Sequence, residues 1–168
     1  MNVPRSGLIL ILSLTIGLVA ACQDRRADKA YLKSDYEKSA KELEPLANMG
    51  EPRAQYNLAL LYDQGLGVPQ SDALALRWYS RAAEQGEQRA QYNLGLMYMN
   101  GQGTAPDLVL AYYWISLSLA QGNQRAPEAR EYLAEKMTQE QIAQAQGLVN
   151  RRLSEGQQSQ PRVHHAAP

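Results

Sequence analysis

Apolar residues fall along this chain in three regimes. Leu8 to Val19 is an unbroken uncharged run, Leu-Ile-Leu-Ile-Leu-Ser-Leu-Thr-Ile-Gly-Leu-Val. From there to about Leu153 the apolar positions become periodic. Ala54, Leu58, Leu61 and Tyr62 stand at i, i+4, i+7 and i+8, one stripe of a helix. Gly65-Leu-Gly67 breaks that helix, Val68-Pro69 carries the chain round, and Asp72 is the expected N-cap of the next. Ala75, Trp78, Tyr79, Ala82 and Ala83 form the second stripe, which Gly86 ends in the place of a left-handed C-terminal residue. Beyond Ser154 the chain is rich in Gln, Ser and Pro without periodicity and reads as a disordered tail, residues 154–168.

The periodic region repeats itself. Arg53-Ala-Gln-Tyr-Asn-Leu58 returns as Arg89-Ala-Gln-Tyr-Asn-Leu94, a shift of 36 residues. The same step takes Tyr62 to Tyr98, Gly65 to Gly101, Gly67 to Gly103, Ala75 to Ala111, Trp78 to Trp114 and Gly86 to Gly122. Each unit is two antiparallel helices that cannot bury their apolar faces alone and must stack on neighbours.

The pattern Ala-x-x-x-Leu-Gly-x-x-Tyr-x-x-Gly-x-Gly followed by Ala-x-x-Trp-Tyr-x-x-Ala-Ala-x-x-Gly resembles the Sel1-like repeat, a relative of the tetratricopeptide repeat. Residues 52–86 follow it with Ala59 where the second copy has Gly95; residues 88–122 follow it with Ile115 for the Tyr and Ser118-Leu119 for the Ala pair. Residues 27–50 resemble a shortened tetratricopeptide unit, and residues 124–153 begin a third repeat but lack its glycine loop. Thr138 and Gln141 form a capping-box pattern that opens a last helix to about Leu153. The resemblance implies an all-α protein, a right-handed α-solenoid of stacked antiparallel helix pairs over residues 22–153.

The opening run is a targeting signal. Twelve residues make about 18 Å of helix, short of the ~30 Å hydrocarbon core, so residues 1–21 read as a cleaved signal peptide. Val19-Ala20-Ala21-Cys22 resembles the bacterial lipoprotein cleavage box, in which Cys22 becomes the lipidated N-terminus. An ordinary secretory cleavage beside an incidental Cys is the alternative. In lipoproteins a residue other than Asp after the Cys favours the outer membrane, and Gln23 stands there. Each buried methylene of the attached chains holds the protein by ~0.8 kcal/mol.

Composition narrows the chemistry. Seventeen basic groups balance 17 acidic ones, which argues against a nucleic-acid partner. One Cys excludes a disulfide framework and a Cys-based zinc site. Both His residues, His164 and His165, lie in the tail, so the body holds no His base or ligand, and no metal or cofactor is expected. Gly65-x-Gly67 and Gly101-x-Gly103 are turn glycines rather than phosphate loops, because neither extends to the longer motif nor follows a strand. Asp63, Asp72 and Asp107 read as helix-end caps. Some Sel1-like proteins are associated with β-lactam hydrolysis, but those carry paired Cys residues that this chain lacks. The protein reads as no enzyme.

The residues left over sit off the Leu58/Tyr62 stripe. Arg53, Tyr56, Asn57 and Leu60 recur as Arg89, Tyr92, Asn93 and Leu96, with Arg125 as a third rung. By resemblance to tetratricopeptide arrays they form a concave partner-binding ladder: Arg grips a carboxylate, Asn bonds a peptide backbone, Tyr offers flat contact area. Alternatively Asn57 and Asn93 bridge neighbouring helices, and Arg53 and Arg89 pair with Glu51 and Glu87. The function expected is a monomeric, lipid-anchored adaptor or assembly factor that faces the periplasm and binds an envelope protein or peptide. The alternative is an inhibitor or immunity protein against a secreted toxin enzyme such as a lipase. Cys22→Ser is expected to shift the protein into the soluble periplasmic fraction or leave it unprocessed. A processed variant still held tightly in the membrane fraction contradicts lipidation.

Overall fold

The computed structural model describes residues 34–158, which form seven helices and no strand. They are α1 (34–48), α2 (Pro52–Gln64), α3 (Asp72–Glu84), α4 (Gln88–Asn100), α5 (Leu108–Ala120), α6 (Ala126–Lys136) and α7 (Gln139–Gln158). Cys22, the signal segment and residues 159–168 lie outside the described residues. The helices pack in sequence as an α-solenoid: α2 on α3, α3 on α4, α4 on α5, and α5 on both α6 and α7. Among the described residues no helix is long and apolar enough to cross a membrane.

Local chemistry sets the boundaries. The first helices of the two full units start after Glu51 and Glu87, both in extended backbone, and Glu87 accepts a hydrogen bond from the Ala90 amide at 2.7 Å. The second helices are capped by Ser71 and Asp107, whose side chains accept from the Leu74 and Leu110 amides. Asp72 is therefore not the N-cap. Ser71 holds the extended backbone that capping requires, and Asp72 is the first helical residue, where its negative charge suits the positive helix terminus. The capping box at Thr138 and Gln141 forms in both directions, at 3.2 and 2.9 Å. The last helix runs through Gln158, five residues past the expected end at Leu153, so the tail does not begin at Ser154. The Arg152 guanidinium reaches back to the Glu84 carbonyl at 2.7 Å, tying this final stretch to the end of α3.

The loop glycines do more than turn the chain. A Cβ on Gly103 would stand 2.6 Å from the Asp72 carbonyl oxygen, and one on Gly67 would collide with the Tyr36–Glu37 peptide. Positions 36 and 72 are one repeat apart, so each loop is seated on the start of the preceding unit's second helix. By the same register α1 is the second helix of the shortened unit. Gly95 serves a different close approach: a Cβ there would meet Ile115 Cγ1 at 2.5 Å. The first unit carries Ala59 at that place, and Tyr79 stands one repeat before Ile115.

The core is two clusters joined through α4. Ala47, Ala54, Leu58, Trp78, Tyr79, Leu94 and Met97 form the first, from α1 to α4. Tyr92, Ala111, Tyr112, Ile115, Leu133 and Ala145 form the second, from α4 to α7. Full burial of a chain such as Leu58 or Leu94 is worth roughly 1.5–3 kcal/mol. Both tryptophans serve packing: Trp78 is buried beneath the Arg81 guanidinium at 4.8 Å, and Trp114 is half-buried against the first cluster.

Candidate partner-binding site

Two buried glutamines fix how one unit sits on the next. Gln55 Nε2 donates to the Ala47 carbonyl at 3.0 Å, and Gln91 Nε2 repeats this to the Ala83 carbonyl at 3.2 Å. Each reaches the end of the preceding unit's second helix, where carbonyls lack intrahelical partners. The other atom of each carboxamide is also satisfied: Gln85 Nε2 donates to Gln55 Oε1 and Gln121 Nε2 to Gln91 Oε1, both at 2.8 Å. A single side chain thus joins its own unit's second helix to the one before.

A second relay crosses three helices. The Tyr79 hydroxyl, on a fully buried ring, accepts from Asn93 Nδ2 at 2.9 Å and lies 3.4 Å from Asp63 Oδ2, toward which it can donate. Burial pushes the Asp63 carboxyl above its usual range, against the opposing effect of the Tyr79 hydrogen bond. Burial also raises the Tyr79 phenol, so it stays a protonated donor.

This register brings the expected ladder together. The Arg89 guanidinium lies over the Tyr56 ring at 4.3 Å, and that of Arg125 over the Tyr92 ring at 5.2 Å, each arginine stacking on the tyrosine of the preceding unit. Such stacks are worth ~0.5–1 kcal/mol at exposed sites and hold the arginine's edge toward solvent. Between them opens a groove of about 430 Å³ bounded by Tyr56, Arg89, Tyr92, Asn123 and Arg125. Arg89 Nε is paired with Glu87 Oε1 at 2.9 Å, while among the described residues Arg125 has no acidic partner. The groove therefore presents guanidinium N–H donors over flat aromatic walls, suited to a carboxylate or a peptide carbonyl.

The repeated residues do not all play one part. Asn93 borders the groove but spends its amide on Tyr79, whereas Asn57 is exposed. Arg89 makes its pair with Glu87; Arg53 is exposed and has no ion pair or ring partner among the described residues. Leu96 is half-buried, packs on the second core cluster and lies outside the groove lining. Leu60 is half-buried and lies outside the groove lining. The glutamine joints were not foreseen, although the recurrence of Gln55 at Gln91 and of Gln85 at Gln121 marked them. Asn123 was also missed: its Oδ1 accepts from the Arg125 amide at 2.9 Å and shapes the groove rim.

Comparison with known proteins agrees with this architecture. Residues 52–87 and 88–123 match the Sel1 repeat model. Among solved structures the chain is similar to a protective antigen of uropathogenic Escherichia coli strains that displays an SLR fold, with 29% identity and a TM-score of 0.69 over 79% of this chain and 30% of that one. It is also similar to a Sel1 repeat protein from Oxalobacter formigenes, with 36% identity and a TM-score of 0.57 over 62% of this chain and 43% of that one. The chain spans less than half the length of either. No curated protein matches it. Sel1 repeat proteins generally mediate protein–protein interaction.

The split between the two asparagines is measurable. Asn93→Ala leaves the buried Tyr79 hydroxyl short of a partner and is expected to cost about 1–3 kcal/mol. Asn57→Ala, at the equivalent exposed position, is expected to stay within about ±0.5 kcal/mol. Chemical denaturation of the two variants checks this; equal losses would mean the relay contributes nothing.

Proposed function

We propose that this Sel1-repeat protein is a lipid-anchored, non-catalytic adaptor or assembly factor of the bacterial cell envelope. In this reading Cys22 carries the lipid, the solenoid faces the periplasm, and the groove between Arg89 and Arg125 holds a segment of an envelope protein or peptide. The observation that carries the reading is the stacking of Arg89 on Tyr56 and Arg125 on Tyr92. Each stack holds its guanidinium in place before a partner arrives, so little rotamer entropy remains to be lost on binding. The aromatic faces supply contact area and the guanidinium edges supply charge-assisted hydrogen bonds, the residue types that dominate binding energy at protein interfaces. Arg53, exposed one unit earlier, extends the same basic line toward the anchored end of the chain.

The test uses a photo-crosslinking residue at Gln124, on the groove wall, in intact cells. It is expected to trap a discrete envelope partner in the wild-type background. The Arg89→Glu/Arg125→Glu double variant is expected to lose that adduct while its melting midpoint falls only by the equivalent of about 1–2 kcal/mol, the two lost stacks. An adduct that survives double charge reversal would place the partner elsewhere and overturn the groove assignment.

A further inference from the structure

We infer, resting on the reading that the arginine groove docks a partner, that Arg125 rather than Arg89 selects it, and that Arg125 takes the side-chain carboxylate of an Asp or Glu within an acidic peptide segment.

The repeat supplies an internal control. At a shift of 36, Glu51-x-Arg53 becomes Glu87-x-Arg89 and then Asn123-x-Arg125, so the third rung loses its acid. Glu87 spends one oxygen on Arg89 Nε at 2.9 Å and the other on the Ala90 amide at 2.7 Å. Asn123 stands at that place without a charge. Its Oδ1 accepts from the Arg125 amide at 2.9 Å, and its Nδ2 donates to Ser118 Oγ at 2.8 Å. Ser118 is fully buried and itself donates to the Gln88 carbonyl at 2.8 Å. One unit earlier its place is held by Ala82, which has no group to anchor such an amide. Two linked departures from the repeat, Ser118 for Ala82 and Asn123 for Glu87, thus put a fixed neutral amide where the preceding unit has a carboxylate.

Arg125 is left with an unbalanced charge at a fixed position. Its guanidinium lies 5.2 Å over the Tyr92 ring, and among the described residues it has no acidic partner. The groove lining holds two arginines and no Asp or Glu. Arg89 already has Glu87, so Arg125 is the stronger draw for an anion. The backbone decides which kind of carboxylate fits. A chain-terminal carboxylate is captured by a nest of free backbone N–H groups. Here the amides of Gly122, Asn123 and Arg125 are spent on the Leu119 carbonyl, the Ser118 carbonyl and the Asn123 side chain. What remains is the guanidinium, the group that reads acidic motifs within a chain.

The probe is N-acetyl-glutamic acid α-N-methylamide, whose only charge is on its side chain, titrated into the 15N-labelled full chain and followed by amide chemical shifts. Saturable shifts centred on residues 92 and 122–125 are expected, with a Kd on the order of 1–10 mM for so small a ligand. The neutral glutamine analogue and Arg125→Gln are each expected to weaken binding roughly tenfold. Arg125 is exposed, so its variant should keep the wild-type spectrum elsewhere. Asn123→Glu leaves Arg125 in place, restores the acid of the preceding unit and is expected to weaken binding as much. Arg89→Gln is expected to weaken it less than about threefold, since Glu87 already engages that guanidinium. N-acetyl-glutamine, whose only carboxylate is terminal, is expected to bind several-fold more weakly than the probe. Equal binding of the neutral analogue, tighter binding of N-acetyl-glutamine, an unaffected Asn123→Glu variant or no saturable shift would overturn the inference. The crosslink from position 124 reads docking separately, and Asn123→Glu is expected to weaken it too. An adduct lost in Arg89→Glu/Arg125→Glu but kept in Asn123→Glu would leave the groove as the docking site and overturn Arg125 as its carboxylate reader.

Discussion

A stack of helix pairs stays in register only if something directional joins each unit to the last, because apolar packing alone tolerates sliding. In this chain that joint is the buried carboxamide of Gln55 and its repeat Gln91. Each donates to a carbonyl at the end of the preceding second helix and accepts from a glutamine at the end of its own unit's second helix. Both carboxamides are buried, so an unmade bond would carry the desolvation cost of an orphaned polar group, about 1–3 kcal/mol. The geometry of everything above follows. With the two units joined this way, Arg89 comes over Tyr56 and the next turn brings Arg125 over Tyr92. The loop glycines act at the opposite end of the units, where Gly67 and Gly103 let each loop rest on the backbone of the unit before.

Much of this was legible in the residues. The shift of 36 gave the helix pairs, their order and the core positions, since an apolar stripe repeated at constant spacing can face only its neighbours. The capping box at Thr138 was equally plain, because its two side chains act on local backbone. What the motif could not tell was the fate of each copy. Asn57 and Asn93 have identical neighbours in sequence, yet only Asn93 meets a hydroxyl. Its partner is Tyr79; the equivalent place in the unit before Asn57 is Leu43, which has nothing to offer it. Gly95 is likewise decided by its neighbour, since a Cβ there would meet Ile115 Cγ1 at 2.5 Å, while the first unit carries Ala59 at that place. A repeat specifies where a residue points, and the neighbouring unit decides whether it is spent. The end of α7 was misjudged because composition alone suggested a tail, while Arg152 finds a carbonyl 68 positions back in the chain.

The same distinction separates two recessed surfaces. In the arginine groove the polar side chains are mostly held by partners within the protein, which orders them and leaves guanidinium edges for a visitor. Between α5 and α7, where the capping helices replace a full third unit, Arg130, Gln146 and Asn150 are exposed side chains beside the apolar Leu119 and Val149. Ends of solenoids must cover an exposed apolar face, and here α6 and α7 do so by packing on α5.

Gln91 holds the second unit on the first. Native-state hydrogen exchange on Gln91→Met tests it most directly, because methionine keeps the apolar bulk and removes the hydrogen bonds. The α4 and α5 amides are expected to exchange at least tenfold faster, since a loss of about 1.4 kcal/mol or more must appear in the opening free energy of that pair. The α2–α3 pair, still joined through Gln55, should change less. Unchanged protection in α4 and α5, or a uniform loss across all helices, would contradict the claim.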